Sequence, residues 1–577
     1  MLKKEMVCIL GRHDIPVIQE QPEFMVDLLQ TNLLLFGASM SGKTNLIKLL
    51  ITILHKQYRE DDEQIFILDF GGALSEFETL PLVAAYFDNS NEEYVKRVFK
   101  LLEDQLKDNI TKLKGKNYSS CEAEQPIHTT LFIDNVNAFL DEPRYTAYQE
   151  KLAKICRDGL SKGITIVMTA SSIKGLSSYL NSFKQKIALE MPVENYLDIF
   201  SHKVIPVGNN PGHGYANVTL IPEGITGTFP LQTAYEIQLN FSDSIHSSNF
   251  KLNVEKYFAD RTVKKYKRFP QILNQKEFEK LAEDSLKYND GTDQHIRNKM
   301  IVGLDYTECR PFEINYGSTK VIAIYGKKEF GKTNLLRRML KEMLVDKKYR
   351  FVFFDDGREQ LKKYIADKVT PENRKKYICG YEECILKQRD IINKKITDVS
   401  LKLSPIQLFV KYIHENFMDL TGIKRMSNPV FVEVFGNGML LEPSSAEIYN
   451  NNNNTVFVLQ SKFLYMNTIA AKIFMEIILP AMAAQAEEKN WIFIFTDVKN
   501  INDSEIRDNF NSVIETAFLL DNIAEFVSER GQKSVFGNME VKSLKEEYAH
   551  CEIGDGYVYS IEKDELKKVK FIKEDEV

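Results

Sequence analysis

Asn32-Leu33-Leu34-Leu35-Phe36 runs directly into Gly37-Ala38-Ser39-Met40-Ser41-Gly42-Lys43-Thr44, and Asn45-Leu46 then opens an amphipathic helical pattern. An apolar strand, a G-x-x-x-x-G-K-[ST] loop and a helix together make a phosphate cradle. Gly37, Ser41 and Gly42 lie in the part of the loop whose backbone N–H groups converge on phosphate oxygens, and the helix N-terminus adds a favourable field. In that pattern Lys43 reaches the β and γ phosphates, and the Thr44 hydroxyl coordinates Mg²⁺. ATP and Mg²⁺ are therefore the expected cofactors.

The same reading recurs further along. Lys320-Val321-Ile322-Ala323-Ile324-Tyr325 leads into Gly326-Lys327-Lys328-Glu329-Phe330-Gly331-Lys332-Thr333, followed by Asn334-Leu335; the two loop lysines, 43 and 332, lie 289 residues apart. The flanks repeat as well. Ile9-Leu10-Gly11 and Ile301-Val302-Gly303 precede the loops, and strands ending at Asp69 and Asp355 follow them. Each copy closes with Gly-x-Gly-Tyr, at Gly212 to Tyr215 and Gly554 to Tyr557. The expected fold class is α/β, with two tandem RecA-like P-loop NTPase modules, each a mainly parallel sheet flanked by helices. Residues 1–243 form the first module, 244–298 a linker with short helices, and 299–577 a second, degenerate module. Gly326, Gly331, Lys332 and Thr333 are its nucleotide-binding candidates. Glu329 opposes phosphate there, so ATP occupancy of this loop is left open.

A P-loop enzyme also needs a strand-end carboxylate for the metal and, usually, a second one to orient the attacking water. The strand Thr129 to Ile133 delivers Asp134 for the metal role. The next residue is Asn135, which can orient a water but cannot accept its proton, so hydrolysis here should be slow or absent. The strand Gly163 to Met168 ends at Thr169, where a group sensing the γ-phosphate would lie. In the second module, spacing places Gln460 at the metal position, opposite Thr496. The rival assignment uses Asp497, with Lys499 near the water. Either way no carboxylate pair is present.

The remaining sequence narrows the class. The 577 residues, 44% apolar and 27% charged, suit a globular chain and allow about three to five domains. A net charge of −6 is unlike a general nucleic-acid coat. Arg261, Lys264, Lys265, Lys267 and Arg268 read as a solvated face, and Asn450 to Asn454 as a loop. Seven scattered cysteines, with no C-x-x-C, read as buried thiols of a reducing compartment. With no signal peptide or membrane-length apolar run, the chain reads as cytosolic.

The pattern Cys8-Ile9-Leu10-Gly11-Arg12-His13-Asp14-Ile15-Pro16 with Gln19 and Gln21, the first P-loop, Phe66 to Gly72 with Leu80-Pro81, Gly163 to Thr169 and Pro211 to Tyr215 resemble the FtsK/SpoIIIE ATPases. More narrowly, the chain resembles the second and third ATPase modules of the type VII secretion ATPase called EssC or EccC. That resemblance implies the cytoplasmic motor end of an export machine, held at the inner face of the cell membrane by a membrane-embedded partner or a missing N-terminal part. It implies small helical secreted proteins with a C-terminal signal as substrates, docked by the last module. A homo-oligomer, a hexamer, is a further implied partner state. Two departures stand out: Asn135 in place of an acidic residue, and Thr169-Ala170-Ser171 in place of Thr-Gln-Arg. The alternatives are an FtsK-type DNA translocase, which the acidic end Lys573-Glu574-Asp575-Glu576-Val577 argues against, and a nucleotide-gated scaffold that does not hydrolyse ATP.

Overall fold

The computed structural model describes residues 5–89, 92–121, 125–200, 204–221 (save 206 and 209), 233–242, 248–286 (save 260 and 267), 298–345, 349–354, 378–380, 453–460, 472–496, 504–529, 533–540 (save 538) and 551–574, with 364, 367, 368, 410, 413–420 and 544. Asp355, Ser461, Asp497, Lys499 and most of the stretch 374–454 fall outside the described residues. The chain divides into two compact units, Met1–Arg268 and Phe269–Val577.

The first unit is built on β1 (Val7–Asp14), β2 (Glu23–Asp27), β3 (Leu33–Phe36), β4 (Glu63–Asp69), β5 (Val83–Asp88), β6 (His128–Asp134), β7 (Ile164–Ala170), β8 (Gln185–Leu189), β9 (His213–Asn217) and β10 (Ala234–Leu239). The second repeats it with β11 (Lys299–Asp305), β12 (Pro311–Asn315), β13 (Val321–Gly326), β14 (Arg350–Phe354), β15 (Ile378–Gly380), β16 (Thr455–Gln460), β17 (Ile492–Thr496), β18 (Thr516–Leu520), β19 (Asp555–Ser560) and β20 (Glu565–Phe571). The sheet orders are β2-β1-β10-β9-β8-β3-β7-β6-β4-β5 and β12-β11-β20-β19-β18-β13-β17-β16-β14-β15. Every strand of the second sheet occupies the place of the strand ten earlier. Each sheet is mixed: the run from β8 to β5, and from β18 to β15, is parallel, while the other four strands pair antiparallel.

The division follows from side-chain pattern. β3, β6, β7 and β13 are buried at every position, as expected for parallel strands covered on both faces. β1 alternates more and carries exposed residues. The repeated glycine upstream of each loop has a steric cause. A Cβ on Gly11 would stand 2.1 Å from the Gln238 carbonyl oxygen, and one on Gly303 would stand 2.1 Å from that of Lys570. The register of β1 against β2 shifts between Ile9 and Gly11, and that of β11 against β12 between Ile301 and Gly303.

The segment expected as a linker is shared out between the units. The helix Ser248–Phe258 lies in the first, and the chain after it is strapped down by its basic residues. Arg261 pairs with Glu60 at 3.0 Å, Lys265 donates to the carbonyls of Leu80 and Val83, and Arg268 pairs with Glu78 and with Asp88 at 3.1 Å. Arg268 also lies over the Tyr86 ring. Most of this run is thus tied to backbone and carboxylates of its own unit, a correction to its reading as a solvated face. The helix Gln275–Leu286 belongs to the second unit, where Gln275 accepts from Arg338 at 2.9 Å and Leu273 pairs with the backbone of Lys573.

Burial also gives the first unit a pH dependence. His55 is 2% exposed; its Nδ1 donates to the Ile51 carbonyl (2.8 Å), and its Nε2 accepts the Leu82 N–H (3.2 Å). Those two bonds require a neutral ring. Desolvation lowers His55 and His13 from 6.5 to about 4. Both rings bind a proton more weakly folded than unfolded, so stability is full above about pH 6.5 and falls as the pH drops from 6.5 towards 4. Urea unfolding of the first unit should show a loss of about 2 kcal/mol per histidine by pH 5. An unchanged midpoint between pH 7 and pH 5 would contradict it.

Candidate nucleotide site

The first P-loop sits at the C-terminal end of β3, between β7 and β8. Gly42 takes a left-handed φ of 110° at the N-cap of the helix Lys43–Gln57, and Met40 takes a φ of 64°. The closing Gly-x-Gly-Tyr turn braces the loop: the Gly212 N–H donates to the Ser41 carbonyl (2.7 Å), and a Cβ on Gly42 would stand 2.9 Å from the Gly212 nitrogen. The Ala38 N–H is held by the Glu190 carbonyl at 2.7 Å. Lys43 Nζ donates to the carbonyls of Gly37 (2.6 Å) and Ala38 (2.7 Å), so its ammonium is folded back over the cradle it is suited to fill with phosphate. Burial lowers the Lys43 pKa from its ordinary 10.5, and the carboxylate of Asp134 opposes that shift.

β6 carries Asp134 to the same end of the sheet. Asp134 Oδ1 accepts the Thr169 hydroxyl at 2.5 Å, and Thr169 Oγ1 accepts the Asn135 N–H at 2.8 Å. The three catalytic candidates therefore form one hydrogen-bonded unit across β6 and β7. Asp134 is 4% exposed, and desolvation raises its pKa above the usual carboxylate value; the Thr169 bond and Lys43 work against the rise, while Asp69 adds to it. Asp69 itself is consumed locally, accepting the N–H groups of Gly71, Gly72 and Leu74 and the Tyr86 hydroxyl. A Cβ on Gly71 would stand 2.4 Å from Asp134 Oδ2, which explains the small residue after Phe70. Asn135 adopts φ 58°, ψ 60°, a left-handed conformation that asparagine tolerates better than most residues.

These groups fit Mg·ATP. The loop offers backbone N–H groups and an ammonium to phosphate, with the Thr44 hydroxyl and the Asp134 carboxylate as metal donors. Among the described residues there is no group of three or more His, Cys, Asp or Glu able to hold a metal alone. A Mg²⁺ here would take its remaining ligands from phosphate and water, its usual habit.

The second loop copies the backbone and changes the charges. Gly331 (φ 100°) and Glu329 (φ 72°) match Gly42 and Met40, and Lys332 Nζ donates to the carbonyls of Gly326 (3.0 Å) and Lys327 (2.8 Å). Lys327 stands where the first loop has Ala38, and it bonds to Glu525 and lies 3.5 Å from the buried Asp521. That hydrogen bond raises the Lys327 pKa. Two carboxylates thus line the mouth of this loop, while the Glu329 side chain stands 81% exposed. Strand register pairs Gln460 with Thr496, and Thr496 with Ile324, just as Thr169 pairs with Leu35. Gln460 is therefore the residue in the backbone position of Asp134; Asp497, in the rival assignment, lies outside the described residues.

Residues 5–190, which hold this first loop and its partners, match the model of the FtsK/SpoIIIE family. Through these residues the chain is similar to the FtsK/SpoIIIE family. Among curated relatives, the ESX secretion system protein EccC of Geobacillus thermodenitrificans is 25% identical over 349 residues, 58% of this chain and 22% of that protein. The type VII secretion system protein EssC of Staphylococcus aureus is 20% identical over 385 residues, 63% of this chain and 24% of that protein. The matches thus span under a quarter of these relatives' length. In fold, this chain is similar to ATPases 2 and 3 of EssC from G. thermodenitrificans (TM-score 0.58, 18% identity, 99% of this chain and 96% of that one). It is similar also to ATPases 2 and 3 of Thermomonospora curvata EccC, solved in complex with a signal sequence peptide (TM-score 0.60, 15% identity, 100% and 94% covered). Among the described residues, no helix is long and apolar enough to cross a membrane.

Proposed function

We propose that this chain is the ATP-binding and substrate-recognition portion of a type VII secretion ATPase. The first module binds Mg·ATP and turns it over slowly; the second docks the C-terminal signal of a small helical secreted protein. The observation that carries the reading is the contrast between two sheets of the same strand order. One keeps a phosphate cradle facing the Asp134–Thr169 pair; the other keeps the cradle's backbone but has an amide at the corresponding strand end and carboxylates at its mouth. The first arrangement suits a bound nucleotide. The second suits a module freed from hydrolysis, and the T. curvata protein, ATPases 2 and 3 of EccC, was solved in complex with a signal sequence peptide. Docking to a membrane-embedded partner at the cytoplasmic face follows from the same reading, as does assembly into a ring.

The test uses synthetic peptides copying the last ~25 residues of helical-hairpin secreted proteins from the source cell. Fluorescence anisotropy should show saturable binding to the full chain that is lost when the terminal half of each peptide is removed. Equal binding of full and trimmed peptides, or none, contradicts signal recognition. Duplex DNA binding with a steep salt dependence would instead favour translocation of DNA.

A further inference from the structure

In each module the last strand leaves beside the nucleotide loop, and the two modules present different residues there. In the first, Asn45 Nδ2 donates to the Asn240 carbonyl at 3.1 Å, and the Ser242 N–H donates to Asn45 Oδ1 at 3.0 Å. A carboxamide that pairs with one residue's C=O and with the N–H two positions on straddles the residue between them, as a neighbouring parallel strand would. That residue is Phe241. Asn45 directly follows Thr44, so the clamp fixes the backbone of Phe241 beside the first turn of the P-loop helix. The Phe241 side chain is 83% exposed, and among the described residues it is the one phenylalanine so placed. It adds nothing to the core. In the second module Asn334 makes the same two bonds, to the Ile572 carbonyl (2.9 Å) and from the Glu574 N–H (2.8 Å), and the straddled residue is Lys573.

We propose that Phe241 is the platform on which the base of a nucleotide held by the first P-loop stacks, which makes this site selective for nucleoside triphosphates over bare polyphosphate. The proposal rests on the reading that the first loop binds ATP. With the triphosphate fixed between Gly37 and Thr44, the ribose and base extend past the start of the helix, where the clamp pins the backbone that carries the Phe241 ring. Stacking on an aromatic face is favourable for any base and loses little entropy when the aromatic residue's backbone is already pinned. The second module has an ammonium in place of the ring, so its loop lacks this contribution.

The experiment compares ATP and tripolyphosphate binding by calorimetry in the full chain carrying Lys332→Ala, which silences the second loop. Phe241→Ala should weaken ATP about 5- to 100-fold and leave tripolyphosphate unchanged. Phe241→Trp should keep ATP affinity, and its new indole should change emission with ATP but not with tripolyphosphate; the chain's single native tryptophan, Trp491, is in the other unit. Unchanged ATP affinity in Phe241→Ala overturns the platform while leaving the nucleotide site intact. Equal losses for ATP and tripolyphosphate overturn it too, since Phe241 would then act on the phosphate loop. If the chain with Phe241 in place binds no ATP, and Lys43→Ala alters nothing, the underlying reading fails and the platform with it.

Discussion

Lys43→Ala removes ATP binding from the first module, an expected loss of about a hundredfold or more in affinity. In the structure its Nζ is held by the carbonyls of Gly37 and Ala38, at 2.6 and 2.7 Å. Those carbonyls are modest partners for an ammonium, and phosphate oxygens are stronger ones, so the side chain exchanges them on binding. Alanine leaves the cradle without its mobile charge, while the loop stays in place through Gly212, Glu190 and the left-handed Gly42. The thermal midpoint should therefore move by little. The clean measurement is calorimetry in the Lys332→Ala background, with Lys43 present or replaced. Equal affinities would falsify the assignment of the first loop as a nucleotide site.

Trp491→Ala should cost the second unit about 3–5 kcal/mol. Trp491 is fully buried immediately before β17, its backbone N–H donating to the Ala486 carbonyl at 2.8 Å. Its ring packs edge-on against Phe417 (5.9 Å) and Phe457 (6.0 Å), and Phe457 stacks in turn on Phe493 at 4.9 Å. Truncation leaves a cavity beneath the strands that carry Gln460 and Thr496. Hydrogen exchange of β16 and β17 amides should accelerate accordingly, with ATP binding by the first unit retained. Trp491→Phe, which keeps much of the volume, should cost less. A change under 1 kcal/mol for alanine would mean that this cluster does not hold the second sheet together.

The parallel half of both sheets was legible because buried strands read as continuous apolar runs: Leu33 to Phe36, Ile65 to Leu68, Val456 to Leu459 and Ile492 to Phe495 fall on β3, β4, β16 and β17. The alignment of Gln460 with Thr496 was legible too, since spacing along matching strands survives changes in the residues themselves. The antiparallel half was harder. Ile9-Leu10-Gly11 stood out as a repeat, but what its glycine serves is a backbone approach from β10, a contact more than two hundred residues away in sequence. The Asn45 and Asn334 clamps were visible only as repeated letters, because a carboxamide's partners depend on where a distant strand ends. The capture of Lys327 by Glu525 and Asp521 comes from the loop after β18 and the short helix Ile523–Glu529, which the local sequence does not announce.

A chain that contains its own duplicate offers an internal control on what each residue is for. Gly11 and Gly303 meet the same close backbone approach, Gly42 and Gly331 and likewise Gly212 and Gly554 share a positive φ, and Asn45 and Asn334 make the same two bonds. Ala38, Asp134 and Phe241 have no such twin; their counterparts are Lys327, Gln460 and Lys573. Drift has therefore changed these three positions, while Lys43, Thr44 and Thr169 keep their twins in Lys332, Thr333 and Thr496. Lys327→Ala together with Lys573→Phe in the second copy would ask how far these two positions alone set the grip of its loop on a nucleotide.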